Sequence, residues 1–247
     1  MQVANTQTES HFDLTLKDFL FLIRDAQRAA RAQERKELRA ELIRQAGDTT
    51  GHHVVHHADC RKFRWPAVDV IATDPPWNDL RCYRWLAKFA RKKLRPGGLL
   101  IVQCSNQQLA KVLPIFAEFT YLRTLSLTYF LPLKTKGRPP FMIGWCPIVV
   151  FANGKPTKFT GWIADSVIEY GRSRIKSLHD WQQSLKPWCH WMAYLTRPGE
   201  LIADPFAGVA TVGCAVKLAG GRKYLGTEID GETAKVAQGR IAELKVK

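Results

Sequence analysis

The amino-acid sequence predicts an α/β protein in which one sheet is covered by helices on both faces, and three observations carry that expectation. Segments with strand patterning alternate with amphipathic helical segments over most of the chain. A short apolar strand ending at Ala203 runs directly into a glycine-bearing loop and then a helix, the arrangement that places ligands at strand ends in such sheets. Hydrophobic residues make up 46% of the 247, enough for one sizeable core, which excludes a disordered chain.

Each element follows from its local pattern. From 14 to 45, apolar residues recur at Leu16, Leu20, Ile23, Ala26, Ala30, Leu38 and Leu42 with charges between them and Gly47 beyond, which predicts one or two amphipathic helices. Residues 54–57 and 68–73 read as short strands, 81–94 as a helix closed by Pro96-Gly97-Gly98, and 99–103 as another strand. A helix over 107–118 follows, then two β-rich stretches, 122–133 and 144–152, separated by a loop from Lys134 to Pro140. Residues 153–180 lose the rhythm, being rich in Gly, Lys, Arg and Ser, and read as a long loop or small insertion. The alternation resumes with a helix over 181–195, the turn Arg197-Pro-Gly-Glu, a strand over 201–203, a helix over 211–218, a strand over 223–227 and a last helix over 231–244. Residues 1–47 are therefore expected to form an N-terminal helical extension, and 48–247 one sheet domain.

Charge narrows the partners. Lys and Arg number 37 against 22 Asp and Glu, a net charge of +15 that points first to a polyanion. No apolar run approaches the roughly 20 residues of a membrane-spanning helix, and the N-terminus starts polar, so the expectation is a cytoplasmic chain with no membrane partner. Cys60, Cys82, Cys104, Cys146, Cys189 and Cys214 are widely spread without a Cys-x-x-Cys pair, which suits free thiols. His52, His53, His56 and His57 read as a strand and turn, and no metal is expected.

Two loops carry chemistry. After the strand at 201–203 comes Asp204-Pro-Phe206-Ala-Gly208-Val-Ala210-Thr211-Val-Gly213, a dinucleotide-type fingerprint whose middle glycine is alanine, with Glu228 twenty positions past Gly208. Glu228 and Asp230 suit ribose hydroxyls, amides at the helix start suit a carboxylate, and Asp204 suits an ammonium group. Alanine at the middle position weighs against NAD and for a cofactor without a pyrophosphate. The second loop is Asp74-Pro75-Pro76-Trp77, where two prolines fix the chain as it leaves a strand. Asp74 and the Pro75 carbonyl are acceptors beside a flat indole, a constellation suited to an exocyclic amino group on a planar base.

These two motifs, in this order, resemble those of the β-type amino-group DNA methyltransferases that use S-adenosylmethionine. Asp59-Cys60 resembles a short segment of that family with Ala58 replacing glycine, Leu94-Arg-Pro-Gly-Gly its helix-to-strand turn, and Gly144-Trp-Cys-Pro-Ile-Val-Val-Phe-Ala its antiparallel strand. The run from Arg197 through Gly208 to Asp230 is the most specific, and the likeness covers about residues 52–247. The resemblance implies a Rossmann-like methyltransferase fold: a seven-stranded, mostly parallel sheet with one antiparallel strand and helices on both faces. It also implies methyl transfer to adenine N6, because aspartate opening the tetrapeptide accompanies adenine in that family. Asp74, Pro75, Pro76 and Trp77 would then form the catalytic turn. Asp59, Gln182, Asp204, Phe206, Gly208, Thr211, Glu228 and Asp230 would line the cofactor site. Val209-Ala210, where the family carries Ser-Gly, predicts weaker cofactor binding, and Trp77 is similar to the RNA adenine methyltransferases, so RNA stays an alternative substrate.

Basic residues cluster after the catalytic turn at Arg81, Arg84, Lys88, Arg91, Lys92, Lys93 and Arg95, and further on at Lys134, Lys136, Arg138, Arg172 and Arg174. They predict salt-dependent phosphate binding, with DNA as the first partner and a short basic recognition region at about 153–180. The N-terminal helices have three uses open to them: adding to that surface, forming a homodimer, or capping the sheet. Cytosine-N4 transfer, a catalytically silent nucleic-acid binder and a dehydrogenase are the competing readings.

Overall fold

The computed structural model describes residues 16–45, 52–134, 141–156, 159, 162–169, 178 and 182–244. Along the chain lie α1 (Leu16–Gln45), β1 (His53–His57), β2 (Val68–Thr73), α2 (Leu80–Lys93), β3 (Leu94–Gln103), a short α3 (Leu109–Val112), β4 (Thr120–Lys134) and β5 (Met142–Ala152). They are followed by β6 (Ser166–Glu169), α4 (Leu185–Leu195), β7 (Leu201–Asp204), α5 (Thr211–Ala219), β8 (Lys223–Glu228) and α6 (Gly231–Glu243). The strands form one eight-stranded sheet in the order β1-β8-β7-β2-β3-β5-β4-β6. Only β5 runs against the others, since it pairs antiparallel with both β3 and β4 while the remaining ladders are parallel.

The central strands are buried on both sides, as parallel strands under helices must be. Leu99 and Ile101 of β3 face a cluster with Trp188 and Trp191 of α4 and Val212 and Ala215 of α5. Leu100 and Val102 face a second cluster with Tyr83, Leu86 and Phe89 of α2 and Phe116 beyond α3. Helices therefore cover both faces, as the sequence pattern predicts.

The structure departs from the sequence expectation in places that have local causes. There are eight strands instead of seven, because Ser166–Glu169, inside the stretch expected to be irregular, pairs with β4 as an edge strand. The helix expected over 107–118 is a short α-helical turn between two 3-10 turns. Pro114 sits in the second of these, where a proline without an amide proton cannot extend an α-helix. The helix expected from Trp181 starts at Leu185 after Ser184, leaving 182–184 outside it. The N-terminal pattern is one continuous helix, α1, which ends at Gln45, and the glycine expected beyond it, Gly47, lies outside the described residues. All six cysteines are free. No helix among the described residues is long and apolar enough to cross a membrane.

Candidate active site

β2 and β7 are central neighbours, so Asp74, just past the end of β2, and Asp204, the last residue of β7, come together at the edge of the sheet formed by the carboxyl ends of its strands. Past Asp74 the chain is stiffened by Pro75 and Pro76, turns through a hydrogen bond from the Asp79 amide to the Pro76 carbonyl, and enters α2 with Asp79 as N-cap. This short rigid turn fixes Trp77 beside Asp74. The Trp77 Nε1 donates to Asp74 Oδ1 at 2.5 Å, and Gln183 Nε2 donates to Asp74 Oδ2 at 2.8 Å. Gln183 is held in turn by Gln103 Nε2, which donates to its Oε1 at 3.0 Å from the end of β3. Both carboxylate oxygens of Asp74 are thus oriented by side chains. Burial outweighs these two donors and, with the nearby charge of Asp204, pushes the Asp74 carboxyl up to about 7.

Asp204 is built differently. Its Oδ1 accepts from Thr73 Oγ1 at 2.7 Å and from the Phe206 amide at 3.3 Å, and its Oδ2 accepts from the Tyr224 hydroxyl at 3.0 Å. It is 2% exposed, and burial pushes it up to about 6. A carboxylate so enclosed braces the loop that follows.

The loop itself leads into α5. Gly208 has φ 52° with open space on its side-chain side, and Ala210 has φ 55°, the one positive-φ residue other than glycine among the described residues. An L-residue in this left-handed region costs roughly 1–2 kcal/mol. Arg240 of α6 holds the strained turn by donating to the Val209 carbonyl at 2.8 Å and to Thr211 Oγ1 at 3.1 Å. Gly213 is needed for close packing, because a Cβ there would lie 2.6 Å from the Tyr224 ring. Glu228, at the end of β8, faces the loop from across: its Oε2 accepts from the Gly208 amide and its Oε1 from the Asp230 amide, both at 2.9 Å. Phe206 is half-buried with its ring edge-on to Trp85 of α2 at 5.9 Å.

The remaining expected site residues divide. Asp230 N-caps α6 by accepting from the Thr233 amide, which lowers its carboxyl below the ordinary range. Asp59 is gripped by Arg61 at both oxygens, which holds it down at about 2, so its polar atoms are turned to that partner. Gln182 accepts from the Leu178 amide at 3.1 Å, and its neighbour Gln183 is the glutamine that reaches the catalytic turn. Sequence reasoning missed Gln183, Gln103 and Arg240.

On α2, Arg81 pairs with Asp79, Arg91 with Glu118, and Lys93 donates to the Trp65 carbonyl, while Arg95 pairs with Asp69. Arg84, Lys88 and Lys92 are exposed, with no salt bridge among the described residues. Because α2 runs from the end of β2 back to the start of β3, only its first turns, with Arg81 and Arg84, lie at the site edge. The cluster is therefore not one continuous surface beside the catalytic turn. Lys136, Arg138, Arg172, Arg174 and the Lys134 side chain lie outside the described residues.

Comparison with known proteins gives the fold a context. No protein-family model matches the chain. A stretch of 46 residues is 46% identical to the DNA adenine methyltransferase YhdJ of Escherichia coli K12, covering 19% of this chain and 15% of that protein. The crystal structure of an M1.HpyAVI–SAM complex matches with a TM-score of 0.65 at 20% identity, over 77% of this chain and 99% of the other. The PvuII DNA methyltransferase, cytosine-N4-specific, matches with a TM-score of 0.60 at 17% identity, over 77% and 86%. The chain has the Rossmann-like fold of these methyltransferases, and the resemblance to DNA methyltransferases carried by its motifs is met in both sequence and structure.

Proposed function

We propose that this protein is a DNA methyltransferase that transfers a methyl group from S-adenosylmethionine to the exocyclic N6 amino group of adenine. The observation that carries the reading is the Asp74 carboxylate, fixed by Trp77 and Gln183 on a proline-stiffened turn at the same sheet edge as the Gly208–Glu228 loop. S-adenosylmethionine, when bound, supplies a methyl group activated on a sulfonium. The loop's chemistry fits such a cofactor: Gly208 leaves open space, the two Glu228 oxygens keep acceptor capacity for ribose hydroxyls, and α5 begins at Thr211 with free amides for a carboxylate. Phe206 would flank it, with Asp230 at its edge. Asp59, whose oxygens accept from Arg61, and Gln182, whose Oε1 accepts from the Leu178 amide, keep hydrogen-bonding capacity for the cofactor.

An aromatic amino group is a poor nucleophile because its lone pair is delocalised into the ring. Asp74 and the Pro75 carbonyl accept its two hydrogens, which favours a pyramidal nitrogen with the lone pair freed, and Trp77 offers its flat face to the base. The nitrogen sheds one proton as it gains the methyl, and a carboxyl titrating near neutrality is suited to accept it. A base in a duplex must flip out to reach this turn, at a cost of a few kcal/mol. Arg81 and Arg84 at the site edge suit the adjoining phosphates. Incubation with isotopically labelled S-adenosylmethionine and unmethylated duplex DNA, followed by digestion to nucleosides, is expected to yield labelled N6-methyladenine. Labelled N4-methylcytosine would move the assignment to the other base, which the likeness to the PvuII enzyme keeps in view. In a parallel incubation with RNA, label on RNA alone would move the substrate, and label on neither would overturn the reading.

A further inference from the structure

The N-terminal helix has a face that the site does not use. α1 crosses α6: Arg39 donates to Glu232 Oε1 and to the Leu178 carbonyl near the first turn of α6, while Leu42 is buried where Gly239 lets the two backbones meet. A Cβ at Gly239 would lie 1.8 Å from the Leu42 carbonyl, so this crossing is fixed closely. Going back from Arg39, α1 therefore passes beyond the first turn of α6, which follows the end of β8 where Glu228 stands. That is the sheet edge that also carries Asp74. Residues 24–34 of α1 are all exposed, as expected of a helix that has left the body of the protein.

Arg24, Arg28, Arg31 and Arg35 are spaced by four, three and four residues, and so fall within about 60° of one another around the helix. Leu42 shares that side, so the arginine stripe continues the face that α1 lays on α6, out past the site edge. The stripe is about 16 Å long at 1.5 Å per residue. Arg24, Arg28 and Arg31 make no hydrogen bond or salt bridge among the described residues, and Glu34, Glu37 and Glu41 lie on another side of the helix. Three arginines without counter-ions among the described residues, on one face of a chain of net charge +15, match a row of phosphates.

We infer that α1 is a nucleic-acid arm, whose Arg24, Arg28 and Arg31 grip the phosphate backbone of duplex DNA beside the flipped base. The inference rests on the methyltransferase reading for its substrate, though not for its test. The full-length Arg24→Gln, Arg28→Gln, Arg31→Gln triple variant keeps good helix formers on an exposed face. Binding to a fluorescent mixed-sequence duplex of about 30 base pairs is followed by anisotropy across a salt series. The magnitude of the slope of log K against log salt is expected to fall by about two to three, since each phosphate contact contributes about 0.9. KM for DNA should rise at least about tenfold with kcat at saturating DNA unchanged, and the corresponding triple lysine variant should restore the slope. An unchanged slope would overturn the proposal, and if it came with loss of a dimer in sedimentation, the stripe would be assigned to a second copy of this chain. A wild-type protein that binds the duplex without transferring methyl would break the enzymatic reading while leaving the arm to stand or fall on its slope.

Discussion

Asp74 and Asp204 stand at the ends of neighbouring parallel strands, both are driven up by burial, to about 7 and about 6, and yet they are built for opposite tasks. Asp204 is closed in by donors from three directions, Thr73 on β2, Tyr224 on β8 and the Phe206 amide of its own loop. Asp74 is held by two side chains that reach it from outside the strands, Trp77 in its own turn and Gln183 before α4, and it is only half-buried. The first arrangement ties three strands and a loop together. The second leaves a carboxylate aimed and still able to accept. Burial alone does not distinguish a brace from a reactive group; the origin of the donors does.

The contrast can be broken in order of effect. Asp204→Ala should strip acceptors from two buried hydroxyls and an amide, lowering the unfolding free energy by about 3 kcal/mol in urea titrations and weakening cofactor binding with it. A loss under about 0.5 kcal/mol would mean that Asp204 braces nothing. Gln183→Leu should lower the unfolding free energy by about 1 kcal/mol, since it leaves the buried Gln103 amide without this acceptor, and lower kcat/KM about tenfold at pH 7. Ionised Asp74 is the accepting form, so activity rises with pH through its titration near 7; removing a donor that favours the charged form moves that acid limb to higher pH. An unmoved limb would reduce Gln183 to a packing residue. The smallest effect is expected at Ala210→Gly, which relieves the left-handed strain at φ 55°. Unfolding free energy should change by less than about 0.5 kcal/mol, because the relief is offset by the entropic cost of glycine and the loss of a fully buried methyl, and cofactor affinity should tighten a few-fold in calorimetry. Weaker affinity in that variant would show that the loop needs alanine's methyl group.

The two loops were legible in the sequence because their chemistry is local. Asp74-Pro75-Pro76-Trp77 and Asp204 through Gly208 each leave a strand within a few residues, so their placement follows once the strands are read. What sequence reading missed lies across the fold. Beginning α4 at Trp181 hides that Gln182 and Gln183 precede the helix, where Gln182 accepts from the Leu178 amide and Gln183 is the one that meets Asp74. β6 is four residues long at an edge, with too little apolar pattern to register as a strand. The partners of Arg91, Lys93 and Arg95 are Glu118, Trp65 and Asp69, contacts between residues distant in sequence, so a run of like charges read as one surface is in fact partly neutralised.

Asp74→Ala tests the division of labour most directly, with single-turnover methyl transfer measured at saturating DNA and cofactor, and cofactor affinity measured by calorimetry on the same preparation. The account predicts a rate lowered at least about a hundredfold with cofactor affinity kept within about twofold of wild type. An unchanged rate would contradict it.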